Sequence, residues 1–180
     1  MIKKTKFKDL KVYINKPYKD KRGYLKELVK EKITNKKFVL SILSYSKRNV
    51  LRGLHFQTKD SQGKYISVLK GKIFDVAVDL RKNSRTFGKH FSCILSENNF
   101  KSVYVPPGFA HGFMTLDKEN YVLYSCTKYR NSKFEKSIRF NDKDLKINWP
   151  LKNPIISKRD KNAIGFAEYK NKSSWWKIKF

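Results

Sequence analysis

The chain has 180 residues, enough for one domain with a real core, and carries 42 Lys+Arg against 15 Asp+Glu, a formal charge of +27 at pH 7. That balance ordinarily points to nucleic acid or an acidic membrane surface, but the cations are spread from Lys3 to Lys179, with no zinc-finger spacing, helix-turn-helix signature or aromatic RNA-binding motif. The composition therefore argues against nucleic acid and membrane as partners and favours attraction for a small phosphorylated molecule. No run is long enough to span a bilayer, and residues 1–6 lack the apolar stretch of a signal peptide. Cys93 and Cys126 lie in alternating apolar stretches, as free thiols of a reduced cytoplasm would.

In chain order, residues 7–15 read as a first strand and 17–23 as a polar turn. Residues 24–32 are short and mixed, a strand running into a helical turn, and 38–45 alternate apolar and small residues as a strand does. Residues 50–57 are a buried strand or strand edge, with Arg52, His55 and Gln57 set among Val50, Leu51, Leu54 and Phe56. A buried cation or imidazole costs free energy unless paired, so this stretch is a candidate site lining. The clearest pairing joins 64–69 to 72–80 across Lys70-Gly71. In the second run Phe74, Val76, Val78 and Leu80 share one face, and Ile73, Asp75, Ala77 and Asp79 the other, the period of two of a strand with one buried face. Residues 83–88 form a loop, and strands follow at 89–95, 102–105, 112–116 and 121–129; 131–160 is turn-rich. Many short strands at close spacing, with hardly a helix and no linker, predict a single all-β domain, a barrel or jelly roll.

Alternation places Lys64 on one face with Ile66 and Val68, and Tyr124 with Val122 and Cys126. Looking into a barrel, those faces aim an ammonium and a phenol at an apolar cavity. Read singly, Lys64 is an exposed strand start, Tyr124 a hydrogen-bonded core aromatic, and His55 a core histidine held by a backbone carbonyl. What changes the balance is their company: His111 in a Pro-Gly-Phe-Ala-His turn, and Asp160 near the end.

Together, Arg52-Gly53-Leu54-His55-Phe56-Gln57, Gln62-Gly63-Lys64, Phe74-Asp75-Val76-Ala77-Val78-Asp79-Leu80-Arg81 and Thr86-Phe87-Gly88 resemble the nucleotide-sugar 4-keto 3,5-epimerases. Pro107-Gly108-Phe109-Ala110-His111-Gly112-Phe113, Ile147-Asn148-Trp149-Pro150 and Ser157-Lys158-Arg159-Asp160 continue the match in the family's order, over roughly residues 5–165. The resemblance implies a cupin-type jelly roll without a cofactor or metal, and a homodimer that exchanges N-terminal strands. It implies as substrate a GDP- or dTDP-linked 4-keto-6-deoxy-sugar or 4-keto-heptose, used in surface-polysaccharide biosynthesis. It puts the base at His55, its partner at Asp160, the enolate stabiliser at Lys64 and the acid at Tyr124. Arg52 falls where the family contacts the diphosphate, and His111 and Gln57 line the same pocket. Tyr18, Arg22 and Glu27 match the N-terminal segment that contacts the nucleotide.

The residue types suit that chemistry. A neutral imidazole is a base near pH 7, a carboxylate on its other nitrogen fixes the tautomer, and a cation stabilises the developing enolate. A metal-dependent cupin, such as a dioxygenase, is disfavoured because His55 is followed by Phe56 and Gln57 rather than by a second histidine, so three ligands would require His55, His90 and His111 together. A non-catalytic sugar-binding jelly roll, a single-centre epimerase and a ketoisomerase remain as alternatives. One departure is informative. Thymidine-using members resemble Gln-x-Asn-x-Ser where this chain has Leu40, Ile42 and Ser44, so a nucleotide other than dTDP is expected. The resemblance alone, to relatives that act on 4-keto-heptoses, puts GDP first. Trp175 and Trp176, beyond the resemblance, are expected to pack on the barrel or at a subunit contact.

Overall fold

The computed structural model describes residues 1–172; Trp175 and Trp176 lie outside the described residues. The elements are, in order, β1 (Ile2–Lys4), β2 (Lys11–Ile14), β3 (Tyr18–Asp20), β4 (Gly23–Leu25), α1 (Glu31–Thr34), β5 (Leu40–Lys47), β6 (Leu51–Gln57), β7 (Lys64–Lys70) and β8 (Lys72–Asp79). They continue as β9 (His90–Ser96), β10 (Lys101–Val105), β11 (Phe109–Thr115), β12 (Glu119–Cys126), β13 (Glu135–Ser137), α2 (Lys158–Lys161) and α3 (Phe166–Asn171). A six-stranded sheet ordered β1-β2-β10-β7-β12-β5 faces a five-stranded sheet ordered β13-β6-β11-β8-β9. Their pairings are antiparallel, and the result is an all-β, cupin-type jelly roll with three short helices among the described residues.

The sheets meet over a core that includes Phe7, Leu10, Ile66, Val68, Ile73, Ala77, Val103, Phe113 and Val122. A second core lies on the outer face of the five-stranded sheet, where Leu54, Phe56, Val76, Val78 and Leu80 are covered by Ile138, Leu145, Phe166 and Tyr169. This corrects the one-sided reading of β8. Both of its faces are buried, because the turn-rich segment and α3 lie back over the outer one. Asp75 and Asp79 survive on the inner face because each is paired. Asp79 accepts from Arg81, Ser84 and Thr86, and Asp75 meets His111.

The N-terminal reading also shifts. Residues 7–15 are a turn followed by β2, with Leu10 N–H donating to the Phe7 carbonyl and Asp9 at φ 66°. The segment read as a polar turn contains β3, which pairs with β4 as a short exposed hairpin. β1 and β2 pair within their own chain, beside β10.

Candidate active site

Both sheets contribute to one cleft of about 580 Å³. The six-stranded sheet supplies Ile42 and Ser44 from β5, Lys64 from β7, and Tyr124 and Cys126 from β12. The five-stranded sheet supplies Arg52 and His55 from β6 and His111 from β11, and α2 with its N-cap adds Ser157, Arg159 and Asp160. Register puts Cys126 opposite Lys64, and Tyr124 opposite Ile66 on one side and Ile42 on the other.

Simple alternation would send Arg52 and His55 to opposite faces of β6. A bulge brings them to one. His111 pairs with His55 and Phe113 with Arg52, so β6 advances three residues while β11 advances two. Gly53 makes this possible. Its φ is +137°, and a Cβ there would lie 2.5 Å from the Gly112 Cα. Arg52 donates from Nε to Ser46 Oγ at 2.9 Å and from Nη2 to the Tyr45 carbonyl at 3.0 Å, which steadies its exposed head.

Asp160 is delivered from far along the chain. Residue 155 bridges to Val50 and its carbonyl accepts from Leu51 N–H, zipping the segment onto the start of β6. Ser157 then caps α2, its Oγ accepting the Asp160 amide at 3.1 Å. Asp160 Oδ1 lies 2.6 Å from His55 Nε2; the carboxylate side chain is 3% exposed and the imidazole 26%. Burial pushes the His55 pKa down, more than the Asp160 hydrogen bond and charge raise it, and Lys64 and Arg159 add to the lowering. Burial alone would raise the Asp160 carboxyl, but His55, Ser157 and the Gly53 backbone together hold it below its usual range. An ionised Asp160 makes His55 Nε2 the protonated nitrogen, leaving the Nδ1 lone pair free.

Lys64 is half-buried at the head of β7, and desolvation pushes its ammonium pKa down, opposed by Cys126, Glu135 and Asp75. The Tyr124 phenol is pushed up by burial, with Ser44 and Arg52 opposing and Asp75 and Cys126 adding. His111 meets the Tyr124 ring edge-on at 6.1 Å and holds Asp75 Oδ2 at 2.8 Å, both partners being almost fully buried. Among the described residues no group of three His, Cys, Asp or Glu side chains is placed to hold a metal ion.

Of the residues singled out in the sequence, His55, Asp160, Lys64, Tyr124, Arg52 and His111 line this one cleft. Gln57 does not. Its amide is consumed by the Asp60 carbonyl at 2.9 Å and the Asn131 amide at 2.8 Å, so it braces two loops. Tyr18, Arg22 and Glu27 are also absent from the lining of their own chain's cleft. Tyr18 and Arg22 sit on the exposed β3–β4 hairpin, where Arg22 pairs with Asp20, and Glu27 pairs with Lys30. The sequence reading missed Arg130 and Glu135, which lie in or beside the turn-rich stretch without periodicity to flag them. Arg159 belongs to the Ser157-Lys158-Arg159-Asp160 motif, in which the resemblance implies a role for Asp160 alone.

The family model for dTDP-4-dehydrorhamnose 3,5-epimerase matches residues 4–168. The chain belongs to that family. It is accordingly an isomerase of the nucleotide-sugar 3,5-epimerase type. It is similar to the dTDP-4-dehydrorhamnose 3,5-epimerase of Methanothermobacter thermautotrophicus, 44% identical over 153 residues that cover 81% of this chain and 83% of that one. The Shigella flexneri enzyme of the same name is 37% identical over 172 residues, covering 92% and 95%. The solved structure of dTDP-6-deoxy-D-glucose-3,5-epimerase from Legionella pneumophila, in complex with dTDP-4-keto-L-rhamnose, matches with a TM-score of 0.88 at 40% identity, covering 92% of each chain. No helix of the described residues is long and apolar enough to cross a membrane.

Proposed function

We propose that this epimerase inverts C3 and C5 of a dTDP-linked 4-keto-6-deoxy sugar, with no redox cofactor, in the making of sugars for surface polysaccharide. The observation that carries the chemistry is the His55–Asp160 pair at 2.6 Å in one cleft with Lys64 and Tyr124. The dTDP-4-keto-L-rhamnose bound to the Legionella relative supports the substrate class.

A C–H beside a ketone is weakly acidic because its electron pair moves onto the carbonyl oxygen as the proton leaves. His55 Nδ1 takes that proton, and Asp160 stabilises the imidazolium that forms. The Lys64 ammonium faces the enolate oxygen and stabilises the negative charge that develops there. Tyr124 returns a proton to the same carbon from the opposite face, inverting it. Both groups regain their starting states by exchange with solvent, and the cycle repeats at the second carbon. Arg52 holds the diphosphate. The test is turnover of dTDP-4-keto-6-deoxyglucose, with the product's configuration read by NMR. Inversion at one centre alone would support the single-centre alternative.

A second reading concerns the nucleotide and the sugar. Ile42 lines the cleft and Leu40 stands opposite Cys126, both apolar where amides stand in thymidine-using relatives. Losing amides removes discrimination that unpaired polar groups enforce, so thymidine need no longer be preferred. GDP as the first alternative, and a 4-keto-heptose with it, rest on the family resemblance alone. Competition by free dTDP and GDP on one preparation separates the two readings.

The assembly we propose is a homodimer with exchanged N-terminal strands, in which Tyr18, Arg22 and Glu27 serve the partner's cleft. The exposed Tyr18, Tyr24, Leu25, Leu43 and Tyr45 support it. The compartment we propose is the cytoplasm, supported by the free thiols Cys93 and Cys126.

A further inference from the structure

Asp160 sits on a helix of four residues, too short to hold its own geometry. Its neighbour Arg159 supplies what the helix lacks. Arg159 donates from Nη1 to Glu135 Oε2 at 2.8 Å, from Nε to Ser137 Oγ at 3.2 Å and from Nη2 to the Lys136 carbonyl at 3.5 Å. All three acceptors belong to β13, and Ser137 is the ladder partner of His55. One planar fork therefore clips the helix that carries Asp160 to the strand beside the imidazole. Glu135 is itself fixed, accepting from Arg130 Nε at 3.2 Å and Nη2 at 2.8 Å, with its side chain only 11% exposed. Arg130 follows β12, which carries Tyr124.

We propose that Arg159, seated on Glu135, is a positioning residue: it holds Asp160 in hydrogen-bond geometry with His55 and so sets the competence of the base. The proposal rests on the epimerase reading for its kinetic consequence, not for its geometry. A salt bridge exposed to solvent contributes little stability. What Arg159 supplies is aim. A three-point planar contact fixes direction in a way that a lysine, a point charge on a flexible stem, does not. Small errors of placement in a base are expensive in rate. Arg159 also lies close enough to His55 to disfavour its protonated form, so charge and geometry must be separated by the choice of variant.

Arg159→Lys keeps the charge and loses the fork. In the full chain labelled with 15N-histidine, the His55 Nε2 proton shared with Asp160 should broaden or disappear, while the His111 proton on Asp75 stays as an internal control. Exchange of substrate protons with solvent deuterium should fall about tenfold, with KM within about twofold. Glu135→Gln should give the same loss, and the double variant no more than either alone, because the two act as a unit. Wild-type exchange and an intact His55 signal in Arg159→Lys would overturn the proposal. So would a raised KM with unchanged kcat, which would make Arg159 a substrate ligand. Loss of both histidine signals marks misfolding, and Glu135→Gln then decides by the same criteria. A wild-type chain that exchanges no substrate proton overturns the epimerase reading, and the His55 signal still decides this one.

Discussion

His55 and His111 stand opposite each other on neighbouring strands, yet each is held by a different carboxylate. His55 faces the open cleft with Asp160 behind it at 2.6 Å; His111 is buried on Asp75 at 2.8 Å beside Tyr124. The difference assigns two duties to one residue type. An imidazole with a free nitrogen toward the cleft is suited to move protons. One closed inside the barrel is suited to hold the wall on which Tyr124 rests.

The pH dependence follows from the cleft groups. The His55 pKa is lowered, so the neutral base persists below the ordinary imidazole value of about 6.5. The acid limb of kcat/KM should therefore lie below that value, with activity lost only as pH falls through the lowered pKa and His55 protonates. The Lys64 pKa is also lowered, so the alkaline limb should fall below the usual lysine value of about 10.4, as the ammonium loses its proton. A pH–rate profile checks both; an acid limb above 6.5 would contradict the burial argument.

Tyr124→Phe should separate the two halves of the reaction. Deprotonation by His55 remains, and proton delivery to the opposite face is lost. Solvent deuterium should still enter the substrate while net inversion falls, by about 10²-fold or more. Mass spectrometry and NMR on the same samples measure the two rates. Equal inversion by Tyr124→Phe and wild type would reduce Tyr124 to a wall residue.

Asp75→Ala should cost stability rather than a proton-transfer step. It strands His111, 3% exposed, without its partner inside the barrel. Leaving a buried polar group without its hydrogen-bond partner costs about 1–3 kcal/mol. Urea unfolding, read as a shift in midpoint at constant slope, measures the loss; a change under 1 kcal/mol would show that the pair is not a structural tie.

Much of the fold was legible because strand alternation is local. The strands at 64–70 and 72–79 and the faces of Lys64 and Tyr124 came directly from a period of two. The pairing expected between those two strands is corrected: β7 lies between β10 and β12 in the six-stranded sheet and β8 between β11 and β9 in the five-stranded one, because the chain crosses from one sheet to the other at Gly71. What alternation misses is what covers a face. The outer side of β8 looked into a second core only because Phe166 and Tyr169 return to it from the far end of the chain. The gathering of Arg52 with His55 was equally illegible, since it depends on a bulge at Gly53 that reverses the alternation. Gln57 shared the strand and the motif, but its neighbours consume its amide, a fact of loop packing rather than spacing. The resemblance, not periodicity, joined Asp160 to His55 across 105 residues of chain.

The central claim is that His55, held by Asp160, removes the proton beside the keto group. Incubation of the nucleotide-linked 4-keto sugar with enzyme in deuterated water, followed by NMR at each ring carbon, tests it most directly. The account predicts deuterium at C3 and C5 with the wild-type chain. It predicts incorporation slowed by about 10²–10⁴-fold in His55→Asn, with Asp160→Asn slowed strongly as well. Wild-type incorporation by His55→Asn would contradict it.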